Sequence, residues 1–167
     1  MQRLAHQRRN TRRGSELAKE DFPPILRPGI HSMTLDMIRE TFASPLPEAT
    51  ERLRMFSKFD QFIFLLRQLN VTGVLWLDGS FVTRKPNPAD LDCVLWNPSF
   101  VTTLSEEGKI ELRGLIDRAS ARAVYGVDLY IETPLPDRQM EREAYWRGLF
   151  GFQRDGKSAK GFVELRI

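Results

Sequence analysis

The sequence predicts an α/β (α+β) domain in which a small mixed β-sheet packs with helices, and three observations carry that expectation. Apolar residues recur at intervals of three and four in some stretches, short runs of strand formers lie between them, and proline, glycine and aspartate mark the joins. Phe22-Pro23-Pro24-Ile25-Leu26-Arg27-Pro28-Gly29 holds three prolines, so it reads as an extended lead-in over the surface. Thr34 is placed to cap a short helix built on Leu35, Ile38 and Phe42, which stops before Pro45 and Pro47. A longer helix starts near Glu48, with Leu53, Phe56, Phe59, Ile63, Leu66 and Leu69 forming its buried face. The period then changes to that of strands at Gly73–Asp78, Asp90–Trp96 and Gly126–Glu132. Between the last two, one helix is expected from about Thr103 to Ala123, opened by Thr103 with Glu106 as a capping box. A helix over 137–149 follows Pro136, and after the turn at Asp155-Gly156 a closing strand runs from Gly161 to Ile167.

The composition sets outer bounds on function. With 167 residues, 41% hydrophobic and 28% charged, the chain has the make-up of one globular domain with a core of its own. Cys93 is the only cysteine, which excludes an intrachain disulfide and a four-cysteine zinc site. His6 and His31 are the only histidines, and they form no apparent triad or zinc pair. No apolar run approaches the roughly 18 residues of a membrane span, and the first residues lack the apolar stretch of a secretory signal, so a cytoplasmic protein is expected. The net charge of +3 hides an asymmetry: Arg3, Arg8, Arg9, Arg12 and Arg13 crowd the start, against a slightly acidic remainder. The division read from this is a basic arm over 1–22 and one domain over 23–167. Residues 1–13 suit contact with nucleic acid or an acidic partner; a solvated, frayed terminus is the plainer alternative.

Three features on the expected strands carry chemistry. Leu77-Asp78-Gly79-Ser80 ends a strand in Gly-Ser, where a missing Cβ and a hydroxyl suit the approach of a phosphate. Thr83, Arg84 and Lys85 follow closely enough to reach phosphates, with Lys85 the preferred cation. Asp90 and Asp92 alternate with Leu91 and Cys93, so both carboxylates face one side of a strand while the apolar residues face the core. Paired acids repel unless a cation neutralises them, and hard oxygen ligands suit Mg²⁺; a solvated edge strand paired with lysine or arginine is the alternative. Asp128 stands between Val127 and Leu129, where an acid needs compensation by a shared metal or a nearby arginine. Cys93 and the tryptophans Trp76, Trp96 and Trp146 read as core material.

Gly79-Ser80, Asp90-Leu91-Asp92 and the later Val127-Asp128-Leu129 together resemble the signature of the DNA polymerase beta-like nucleotidyltransferase superfamily. The stretch from Leu77 to Asp92, with Pro28-Gly29-Ile30-His31 and the ending Lys160-Gly161-Phe162-Val163-Glu164, is similar to a family of small uncharacterised bacterial proteins within it. The resemblance covers about residues 23–167. It implies that Gly79 and Ser80, with Thr83 and Lys85, contact a nucleoside triphosphate such as ATP. It implies that Asp90, Asp92 and Asp128 are catalytic and bind Mg²⁺ (or Mn²⁺), with Asp128 helping to deprotonate an attacking hydroxyl. The implied reaction moves a nucleoside monophosphate from an NTP to a hydroxyl of a protein or RNA (tRNA) acceptor, as in bacterial toxin–antitoxin or phage-defence modules, where a partner protein is also implied. Two departures stand out. Asp78 precedes Gly-Ser where an apolar or small residue is commoner, and is expected to cap the turn; and no large second domain is present to hold an acceptor. The rival from another class is a non-catalytic, antitoxin-like binding module of the same fold.

Overall fold

The computed structural model describes residues 21–46, 49–100 and 103–167. The basic residues 1–13, and Glu48 at the expected start of the long helix, lie outside the described residues. The fold is α+β: a five-stranded mixed sheet packed with five helices. In chain order the elements are β1 (Gly29–Ser32), α1 (Leu35–Ile38), α2 (Ala49–Gln68), β2 (Val71–Asp78), β3 (Leu91–Phe100), α3 (Glu106–Ile116), α4 (Arg118–Tyr125), β4 (Val127–Glu132), α5 (Gln139–Phe150) and β5 (Gly161–Arg166). The sheet order is β1-β5-β2-β3-β4, with β3 parallel to β4, β1 parallel to β5, and β2 antiparallel to both β3 and β5.

The alternation along the strands separates two cores. Leu75, Leu77, Leu91, Cys93, Leu95, Val127, Leu129, Val163 and Leu165 meet the apolar residues of α2 (Phe56, Phe59, Ile63 and Leu66) on one face. On the other face Trp76, Val94, Trp96 and Phe162 meet Trp146 and Phe150 of α5. The expected core roles of Cys93 and the three tryptophans are therefore what the structure has.

Several boundaries differ from expectation for local reasons. Thr34 caps α1 through Met37 N–H, and the helix continues as a wider π turn over Arg39–Ala43. The lead-in ends in a strand, β1, that the prolines concealed. Asn97-Pro98 does not end β3: Asn97 adopts a left-handed φ of 44°, the register shifts opposite Thr72/Val74, and pairing resumes to Phe100. The single helix expected over 103–123 is two, α3 and α4. Ser105, not Thr103, caps the first by accepting from Gly108 N–H, and Asp117 interrupts by accepting from Ser120 N–H at 2.9 Å. A short polar side chain that can satisfy the backbone locally competes with helix continuation.

One buried side chain ties the helical layer to the loop after β2. Arg52 of α2 is fully buried, and its guanidinium donates to the carbonyls of Phe42 and Phe81 at 2.8 Å and of Thr83 and Lys85 at 2.7 Å. Arg52→Leu leaves those carbonyls without their donor and is expected to cost about 3–5 kcal/mol. Arg52→Lys, a point charge without the planar fork, recovers only part of it. Chemical denaturation of the three proteins checks this, and a loss below about 1 kcal/mol for the leucine variant would refute the assigned role.

Candidate functional site

The sheet topology gathers the acids at one end. Because β3 and β4 run parallel and β2 runs against β3, the C-terminal end of β2 lies beside the N-terminal ends of β3, β4 and β5. Asp78 pairs with Asp92 and Asp92 with Asp128 across three neighbouring strands, so three carboxylates stand in one transverse row. All three project from the face that α5 covers further along the strands, since Trp76, Val94 and Tyr130 sit two residues on. Asp90 lies just before β3.

Each acid is compensated differently. Asp78 is buried and accepts from the Lys160 ammonium at 2.8 and 2.7 Å; burial outweighs that lysine and pushes its carboxyl up to about 6. Its main partner is thus Lys160 across the sheet, and the turn-capping role expected of it takes second place to this pair. Asp128 is gripped on both oxygens by Arg118, which also contacts the Tyr130 hydroxyl, and this pairing holds its carboxyl below the usual range. Asp90 pairs with Arg122, one turn further along α4. Asp92 has no hydrogen-bond or ion-pair partner among the described residues; burial, then the charges of Asp90 and Asp128, push its carboxyl up to about 6.

The Gly-Ser turn is shaped around Asp92. Gly79 has a left-handed φ of 87°, and a Cβ there would stand 2.1 Å from Asp92 Oδ2, so only glycine fits both the backbone and the carboxylate. Ser80 begins a single 3₁₀ turn to Val82. The Thr83 hydroxyl is engaged inside that turn: it donates to Ser80 O at 2.8 Å and accepts from Lys85 N–H. Lys85 is held by its carbonyl to Arg52, while its ammonium pairs with no acid among the described residues.

Gly79, Ser80, Thr83, Lys85, Asp90 and Asp92 share the wall of a cleft of about 820 Å³, and Asp78, Arg122 and Lys160 line it too. Asp128 adjoins through its register with Asp92 rather than lining the cleft. Its volume lies in the range of small-molecule and cofactor sites. The donor set, carboxylate oxygens at the mouth of a cleft, is of the hard kind that Mg²⁺ takes. Among the described residues no three such side chains converge ready to hold an ion, and Arg118 and Arg122 pair with Asp128 and Asp90.

The structure places Asp90, Asp92 and the Gly79 turn on one cleft wall with Asp128 in register beside Asp92, and the sequence reading gave no part to Arg118, Arg122 or Lys160. The signals available were the alternatives that an arginine compensates Asp128 and that lysine or arginine meets Asp90 and Asp92.

Residues 20–166 match the family described as a family of unknown function, DUF6932. The chain belongs to the DUF6932 family. No curated protein and no solved structure matches it. No helix among the described residues is long and apolar enough to cross a membrane.

The unpartnered carboxylate has a thermodynamic signature. Raised from 3.8 to about 6 in the folded state, Asp92 binds more proton there than in the unfolded chain between about pH 4 and pH 6. This group therefore lowers stability as pH rises through that window, and its full cost persists above it. In metal-free buffer, Asp92→Asn is expected to stabilise the DUF6932 chain at pH 8 by up to about 3 kcal/mol and to change nothing at pH 3.5. Denaturation at the two pH values reads this directly; equal effects at both would exclude the charge as the cause.

Proposed function

We propose that this chain is a minimal metal-dependent nucleotidyltransferase, moving a nucleoside monophosphate from an NTP to a hydroxyl of a protein or RNA acceptor. The observation that carries the reading is Asp92: an unpartnered carboxylate in register with Asp128, pressed against Gly79, in a nucleotide-sized cleft. The superfamily resemblance of Gly79-Ser80, Asp90-Leu91-Asp92 and Asp128 supports the same reading.

In this reading Asp90, Asp92 and Asp128 hold Mg²⁺ or Mn²⁺, which when bound supplies Lewis acidity for the transferring phosphate. Backbone and hydroxyl donors at Gly79-Ser80 orient the triphosphate, and Lys85 offers its unpaired ammonium to it. The acceptor oxygen bonds to the α-phosphorus, the bond to the β-phosphate oxygen breaks, and pyrophosphate leaves with the electron pair. Asp128 takes the hydroxyl proton, which requires Arg118 to let go, since that arginine depresses its basicity. Arg122, released from Asp90, already lines the cleft and reaches the phosphates.

A second reading has its own observation. The Arg118–Asp128 and Arg122–Asp90 pairs already neutralise two acids, as a non-catalytic binding module of this fold requires. Thermal denaturation with each NTP, with and without Mg²⁺, separates the two without knowledge of the acceptor. Transferase chemistry predicts a Mg²⁺-dependent rise of roughly 5–10 °C at about 100-fold excess over Kd. Asp90→Asn combined with Asp92→Asn should abolish that rise. No shift with any NTP at millimolar concentration would favour the binding module.

A further inference from the structure

The cleft lining is chemically mixed. Charged residues around the Gly79 turn, Asp78, Asp90, Asp92, Lys85, Arg122 and Lys160, share it with Gly148, Leu149 and Phe152 from α5 and the segment after it, where Gln153 and Arg154 also contribute. Leu149 is 50% exposed and Phe152 40% exposed, so both present bare hydrocarbon or ring surface to solvent.

Gly148 sharpens the point. A glycine inside a helix weakens it relative to alanine, and it is usually retained where something approaches the backbone closely. At Gly148 nothing within the protein does so: no atom lies within 4 Å of the position a Cβ would take. Gly148 itself lines the cleft. The helix backbone is therefore bare at this point of the wall, next to an exposed aliphatic side chain and close to an exposed aromatic ring.

This wall is preformed. Trp146 and Phe150 anchor α5 in the second core, and the Trp146 indole donates to Glu132 of β4 at 2.7 Å. Beyond α5, Phe152 bridges Ala159, Gln153 N–H donates to Ser158 O at 2.8 Å, and Asp155 accepts from the N–H groups of Lys157 and Ser158. A ligand seated here need not order the loop first, which favours affinity.

We propose that Gly148, Leu149 and Phe152 form the seat of the nucleobase, with the planar ring lying against the bare turn of α5 and the phosphates directed to the charged residues around the Gly79 turn. The proposal rests on the nucleotidyltransferase reading and adds to it where the base is held. A nucleotide joins a polyanion to a flat π surface, and the cleft offers complementary chemistry for both parts in one volume.

The test uses calorimetric binding, in Mg²⁺, of each of the four NTPs and of inorganic triphosphate, which has no base. Wild type, Gly148→Leu and Gly114→Leu are compared. Gly114 of α3 is equally open but does not line the cleft, so it controls for any change in helix stability. Wild type is expected to bind at least one NTP tenfold or more tighter than triphosphate. Gly148→Leu should remove that advantage and leave triphosphate binding unchanged, while Gly114→Leu should match wild type. Retention of full NTP affinity by Gly148→Leu would overturn the base seat, as would equal loss of triphosphate or equal binding of NTP and triphosphate by wild type. Each of those outcomes leaves the transferase reading standing, whereas a wild type that binds neither ligand refutes both.

Discussion

The guanidinium of Arg52 is the contact on which the cleft depends. It leaves α2, passes through the first core and ends on carbonyls of the π turn and of the loop after β2. That loop carries Ser80, Thr83 and Lys85, and a surface loop of this length would otherwise move freely. A lysine in its place would bring one point charge to a task that spans four acceptors in two segments. The positions of the Gly79 turn and of Lys85 relative to Asp92 are thus set from the far side of the sheet, by a residue with no place in the cleft.

Against that fixed loop, the sheet imposes an electrostatic cost. Three strands that meet at one end each contribute an aspartate to one row, and like charges at that spacing oppose ionisation. The fold compensates unequally. Asp78 has a buried lysine from just before β5, Asp128 and Asp90 have arginines from α4, and Asp92 in the middle has no partner among the described residues. A row of aspartates contributes less to folding than apolar residues would in the same place, so its presence points toward a ligand rather than toward stability.

How much of this the sequence disclosed follows from where the information lies. The alternation at Leu91-Asp92-Cys93 and at Val127-Asp128-Leu129 is local, so the facing of both acids could be read directly, and the periodicity of α2 did the same for the first core. The pairing of Asp92 with Asp128 depends on the parallel crossover over residues 101–126, and no local pattern encodes its register. Arg118 and Arg122, four residues apart, share a helix face under either reading; that the face meets the acid row depends on how α4 packs beside β4, which no local pattern encodes. Lys160 and Arg52 are charged residues in the interior, against the ordinary preference of their type, and only contacts distant in sequence show why they are buried.

The compensating cations differ in whether they can leave. Lys160 is buried with Asp78, and moving it would strand a charge in the interior, so this pair is part of the permanent floor of the cleft. Arg118 and Arg122 are different: their side chains are 51% and 56% exposed and reach the acids from solvent along flexible stems. Water can take up a guanidinium released from either pair, whereas Asp128, itself buried, would need another cation in its place. The acid row is therefore divided, with a buried pair at Asp78, pairs reached from solvent at Asp90 and Asp128, and Asp92 without a partner among the described residues. If a metal–nucleotide complex enters, the same two arginines that neutralised the acids become free positive charges beside the incoming phosphates. Under the proposed function, a single set of side chains would meet the needs of both the unliganded fold and the bound state.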